Sequence, residues 1–232
     1  MAFIMKNLRI LILVPMCLFV SSYVSALTEN QKVEIIKNFQ YLFTEHEVLL
    51  NKRSLIEFGN IGSLLPIPSE ELALTGEYLA INAENFGKAI AKIYGASTQS
   101  TAEALFNNYN TLYRNAIIAA LAQDYAAFVE ALTVLGDYWG AYYSGGISSA
   151  ALVLANIIAQ PSQVNQIAEV LTSINRNQVY GDINQLLSFF SGDLPDFFFF
   201  GTEALATNTA IQVGVGAFYG ELICYLLGQQ GF

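Results

Sequence analysis

The chain has 232 residues, of which 54% are hydrophobic and only 12% charged, and its formal charge is −9. That size suits one domain, or two small ones, around a substantial core, and the apolar share excludes a disordered chain. The acidity excludes the usual nucleic-acid binder and disfavours anionic lipid headgroups.

Lys6 and Arg9 precede an apolar run from Ile10 to Val20, and Val24-Ser25-Ala26 fits the small-x-small rule for a cleavage site. Residues 1–26 therefore read as a cleavable export signal, with the mature chain starting at Leu27. The run is too short for a comfortable membrane span, which needs about 20 residues. Val14-Pro15-Met16 ahead of Cys17 is a poor lipobox. Removing Lys6 and Arg9 takes the charge from −9 to −11 and leaves Cys224 as the only cysteine, so no internal disulfide is expected. The expected location is the periplasm or the medium.

From Leu27 onward the pattern is helical. Thr28 and Gln31 form a capping-box pair. Val33, Ile36, Phe39, Leu42, Phe43, His46, Leu49, Leu50, Arg53 and Ile56 recur at threes and fours, which predicts a helix to about Phe58, broken by Gly59, Gly62, Pro66 and Pro68. Ser69 opens a second helix whose stripe is Leu72, Leu79, Asn82, Phe86, Ile90 and Ile93, with Gly95 as its C-cap. A third starts near Ser97 or Thr98 and carries Leu105, Phe106, Tyr109 and Tyr113 inward. Asp124 caps a fourth. Ile147 to Ala159 reads as a buried helix, and Pro161 stands at the start of another, with Val164, Ile167, Ala168, Leu171 and Ile174 inward. Tyr180-Gly181-Asp182 reads as a break introducing Ile183 to Phe190. The last helix is predicted from Asp196, its N-cap, to Leu227. Within it, Gly216 and Gly220 are spaced for close helix contact, while Thr207, Asn208, Thr209, Gln212 and Glu221 would be costly in lipid.

Motifs for chemistry are thin. His46 is the single histidine, so any catalytic triad or imidazole ligand must use it. No nucleophile elbow, zinc-protease, phosphate-loop or dinucleotide motif occurs. Glu45, His46 and Glu47 are consecutive and are expected to point in different directions. Asn82 is the other polar residue on an apolar stripe, and its structural reading is a buried amide that fixes helix register. The run from Phe197 to Phe200 cannot all face one side of a helix.

Phe43-x-x-His46, Leu79-x-x-Asn82-x-x-Asn85-Phe86-Gly87, Tyr94-Gly95 and Leu105-Phe106-x-x-Tyr109 come in that order. This resembles a family of small helical bacterial proteins, common in spore-formers, with W-x-x-H, R-L-L-x-N-x-x-D-I-G, Y-Y-G and L-L-x-x-H-L motifs. The resemblance covers about Phe39 to Asp124. Tyr109 stands where that family has histidine and Asn85 where it has aspartate, and the later family histidine near Ile174 is missing. These departures remove the imidazoles a metal site would need. The resemblance implies a fold in which helices pair through polar residues at matched heights; it implies no activity.

The expected fold is all-α, an up-and-down bundle of six to eight helices over 27–232, with two similar halves, 27–124 and 125–232, as a variant. The residues expected to form a ligand-binding or buried polar cluster are His46, Asn82, Asn85 and Tyr109. No catalytic residue, metal ligand or cofactor is expected. The expected role is a non-catalytic exported protein that binds a protein or small-molecule partner. One alternative is a membrane-acting effector or pore former that associates through 196–228, and another is a metal-binding bundle centred on His46.

Overall fold

A computed structural model describes residues 27–62, 69–190 and 194–229, with side chains left undescribed at 59–62, 189 and 194–209. The segment 1–26 expected to direct export, Pro66, Pro68 and the side chains of Phe197 to Phe200 lie outside what is described. Seven α-helices are present among the described residues, and no strand. They are α1 (Glu29–Gly62), α2 (Ser69–Tyr94), α3 (Gln99–Leu121), α4 (Tyr125–Gly140), α5 (Ser149–Ile158), α6 (Val164–Phe190) and α7 (Leu194–Gln229). A 3-10 turn, Ala96–Thr98, leads into α3.

Local chemistry sets several helix ends. Thr28 N–H donates to Gln31 Oε1 at 2.8 Å and Gln31 N–H donates back to Thr28 Oγ1 at 3.3 Å, the reciprocal pair that opens α1. Gly95 ends α2 at φ 99°, a left-handed conformation that suits glycine. Asp124 accepts from Ala127 N–H at 3.0 Å and starts α4. Ser148 does the same for α5 through Ala151 N–H. Three boundaries differ from the sequence pattern. α1 continues through Gly59 to Gly62, so those glycines do not break it. α6 runs unbroken through Tyr180, Gly181 and Asp182. α7 begins at Leu194, which puts Asp196 inside its first turn.

The six long helices close a ring in the order α1, α2, α3, α4, α6, α7, with α7 returning to α1 and α5 packed against α6. The α1–α7 contact is the most extensive, and glycines make it close. A Cβ on Gly216 would lie 2.6 Å from Gln40 Cα, and one on Gly220 would lie 2.5 Å from Ile36 Cα. Gly140 plays the same part between α4 and α6, 2.6 Å from Arg176 Cα. The centre is aromatic: Phe86 and Phe106 sit 4.2 Å apart, and Phe43 and Trp139 meet Phe106 edge-on at 5.4 and 5.6 Å. Residues Ala210–Gln229 are long and apolar enough to cross a membrane, and 56% of that apolar window is buried inside the bundle.

Candidate functional site

α1 is covered on its inner side by α2, α3 and α7, so its buried strip is wide enough to turn two consecutive residues inward. His46 and Glu47 are both buried. His46 Nε2 lies 2.7 Å from Asn110 Oδ1, and its ring packs against Phe106 at 4.7 Å and Tyr109 at 5.6 Å. Burial lowers the imidazole pKa from 6.5 to about 4, against a smaller upward pull from the Asn110 bond. The ring is therefore neutral at neutral pH and Nε2–H donates to Asn110, while Nδ1 has no hydrogen-bond partner among the described residues.

Glu47 is the hub of a polar core where α1, α3, α6 and α7 meet. Its Oε1 accepts from Asn51 Nδ2 at 2.9 Å and its Oε2 from Gln212 Nε2 at 3.1 Å. Gln185 Nε2 donates to Asn51 Oδ1. Asp182, 1% exposed, hydrogen-bonds to Glu47 and accepts the Tyr109 hydroxyl on Oδ2. Desolvation, then the Glu47 charge, hold the Asp182 carboxyl well above its ordinary 3.8. Desolvation and Asp182 likewise push both Tyr109 and Tyr113 up, so both phenols stay protonated. Two further bonds tie α6 to its neighbours: Tyr219 of α7 donates to Asn175 at 2.5 Å and Trp139 Nε1 of α4 to Gln178 at 2.8 Å.

Of the four cluster residues expected, the structure brings two together. His46 and Tyr109 are neighbours on the edge of this core. Asn82 is buried but makes a separate link, donating to Leu42 O at 3.0 Å and to Glu45 Oε2 at 2.8 Å, which fixes α2 against α1. Asn85 is half-buried and joins neither. The residues that carry the centre, Glu47, Asn51, Asp182, Gln185 and Gln212, were not singled out from the sequence. The available signal was the α6 stripe: continued through Tyr180-Gly181, it places Asn175, Gln178 and Asp182 inward beside Val179, Ile183 and Leu186.

This core can hold a proton, but its buried groups cannot reach a substrate outside the bundle. Among the described residues no group of three or more His, Cys, Asp or Glu could hold a metal ion. The surface offers different chemistry. On α1, Tyr41, Val48 and Leu55 follow one another at intervals of seven and are 61%, 47% and 41% exposed. On α2, Leu74, Tyr78 and Ile81 are exposed at the spacing of a helix seam. α1 and α2 run antiparallel, as the Lys52–Glu71 ion pair near one end and Lys92–Glu34 near the other require. A shallow groove of about 390 Å³ opens between Lys52, Glu70, Glu71, Leu74 and Tyr78. All five lysines of residues 27–232 lie on these two helices. Compared with models of protein families, with curated proteins and with solved structures, the chain matches none.

Proposed function

We propose that this is an exported, non-catalytic helical protein that works by docking a helical partner protein on its α1–α2 face. The observation that carries the reading is the seam-like spacing of exposed apolar side chains, Tyr41, Val48 and Leu55 on α1 and Leu74, Tyr78 and Ile81 on α2. Apolar residues at such intervals are what a second amphipathic helix buries when it packs on a helix pair. The lysines of residues 27–232 also lie on α1 and α2, and Lys52 lines the groove beside Leu74 and Tyr78, so a partner on this face meets a basic side chain next to the apolar ones. The basic start, apolar run and small-residue end of residues 1–26 support export.

The test is a photo-crosslinking amino acid placed in the native host at Tyr41 or Tyr78, with Tyr125 on α4 as the control. Tyr125 is also well exposed, at 67%. One discrete adduct at the α1–α2 positions, absent at Tyr125, is the expected result. Equal labelling at all three positions, or none, would sink the reading. A second reading, a membrane-acting protein, draws on the apolar stretch Ala210–Gln229. It requires α7 to leave α1, and dye release from liposomes by the purified mature chain would move it to first place.

A further inference from the structure

Glu47 and Asp182 face each other where four helices meet, and both are buried. Two ionised carboxylates at that place would repel each other in surroundings that screen poorly, so the pair keeps one proton between them. The hydrogen bonds say which group carries it. Gln185 Nε2 donates to Asn51 Oδ1, which turns Asn51 Nδ2 onto Glu47 Oε1 at 2.9 Å. Gln212 Nε2 donates to Glu47 Oε2 at 3.1 Å. Both Glu47 oxygens therefore accept, and the Tyr109 hydroxyl donates to Asp182 Oδ2. The hydrogen shared by the two carboxyl groups falls to Asp182, whose O–H donates to Glu47.

We propose that Asp182 and Glu47 form a one-proton clamp that holds α6 and α7 on α1, and that the bundle loosens along this seam when the proton leaves. The surroundings offer no replacement charge. α1 contributes Glu47, with Glu57 farther along it, α3 contributes Tyr109 and Tyr113, and α7 contributes the neutral Gln212. From α4, Trp139 packs on Tyr109 at 5.0 Å and adds no charge. The arginines of α1 and α6 are committed: Arg53 to Glu57 at 3.0 Å, and Arg176 to the carbonyls of Gly140 and Ala141. A proton lost from Asp182 is therefore not compensated by a neighbour.

The experiment is urea unfolding of the mature chain between about pH 7 and about pH 9, followed by Trp139 fluorescence, for the wild type, Asp182→Asn and Glu47→Gln. The unfolded chain has lost the proton there, so for as long as Asp182 stays protonated in the fold the wild-type unfolding constant should rise by about tenfold per pH unit. Asp182→Asn keeps every bond, since its Nδ2 can donate to Glu47 and its Oδ1 can accept from Tyr109; it should fold and lose the slope. Glu47→Gln sets an amide N–H against another donor and should be less stable throughout. An infrared band of a protonated carboxyl in the wild type at neutral pH, lost on alkalinisation, gives the same answer without a variant. A slope that survives Asp182→Asn, a variant series in which Glu47→Gln is the tolerated change, or the absence of that band would each overturn the proposal.

Discussion

Burying an imidazole takes its charge away, and His46 shows the consequence in a form that is easy to read. As the only histidine, it gives a single set of imidazole resonances. Followed by NMR against pH, they should titrate at about 4; a midpoint near 6.5 would mean a ring open to water. Because the folded pKa lies below the unfolded one, this group's contribution to stability is complete above pH 6.5 and is lost as pH falls to about 4. The loss is about 3 kcal/mol. Asp182 acts in the opposite sense: its contribution is complete below its ordinary 3.8 and is lost as pH rises. Between about pH 4 and pH 6.5 the two slopes oppose each other. His46→Phe should therefore uncover falling stability with rising pH in that interval, measured by thermal unfolding across buffers; a curve still level there would contradict the pairing. His46, Tyr109 and Asn82 could be found in the sequence because each interrupts an apolar stripe. Glu47 could not, because consecutive residues on a helix diverge by about 100° and only one is expected inward. Helices on both flanks of α1 widen the buried arc to take in the next residue, and that is tertiary information. Asn85 looked equivalent to Asn82 by motif, yet it falls at the margin of α2's buried face.

At the scale of the helix, the glycines of α7 separate two effects that sequence alone confuses. Gly216 faces the backbone of α1 with no room for a methyl group, whereas a Cβ on Gly214 meets nothing within 4 Å. Gly216→Ala should push α7 off α1 and cost about 1–3 kcal/mol in urea unfolding. Gly214→Ala should be neutral or stabilise by about 0.5–1 kcal/mol through helix propensity. Equal effects of the two substitutions would mean that α7 is not seated as described. The helix starts were readable where a side chain does the capping, as at Thr28 and Asp124, and the end of α2 was readable at Gly95, where the backbone turns left-handed. The break at Tyr180-Gly181-Asp182 was misread because such residues favour turns in isolation. In α6 the apolar stripe on either side keeps its phase through them, and burial of that stripe outweighs the local preference.

For the molecule as a whole, the bundle class followed from periodicity and cap chemistry, since nearly every stretch after Leu27 alternates at threes and fours. The closure of the ring did not, because nothing local marks the two helices at its ends as partners. Charge is also distributed at this scale: the lysines after residue 26 gather on α1 and α2, and Arg114 and Arg176 are the only bases in residues 95–232. Tyr41→Lys combined with Tyr78→Lys alters two side chains that are 61% and 53% exposed, so thermal stability should change by less than about 0.5 kcal/mol. Crosslinking from a neighbouring α1 position should disappear in the same variant. A large loss of stability would instead assign those tyrosines to the core.

The seam between α1 and α7 also sets an order of events during synthesis. Gln212 and Glu47 are 165 residues apart along the chain, so α1 leaves the ribosome while its largest partner is still unmade. Contacts at such separation form late and slowly, and until then α1 leaves Phe39, Phe43 and Glu47 without the cover they have in the finished fold. A chain that cannot close early stays threadable, the state that the proposed export would require. Truncation before α7 should consequently give nascent chains that bind holdase chaperones and are degraded, rather than a smaller stable bundle.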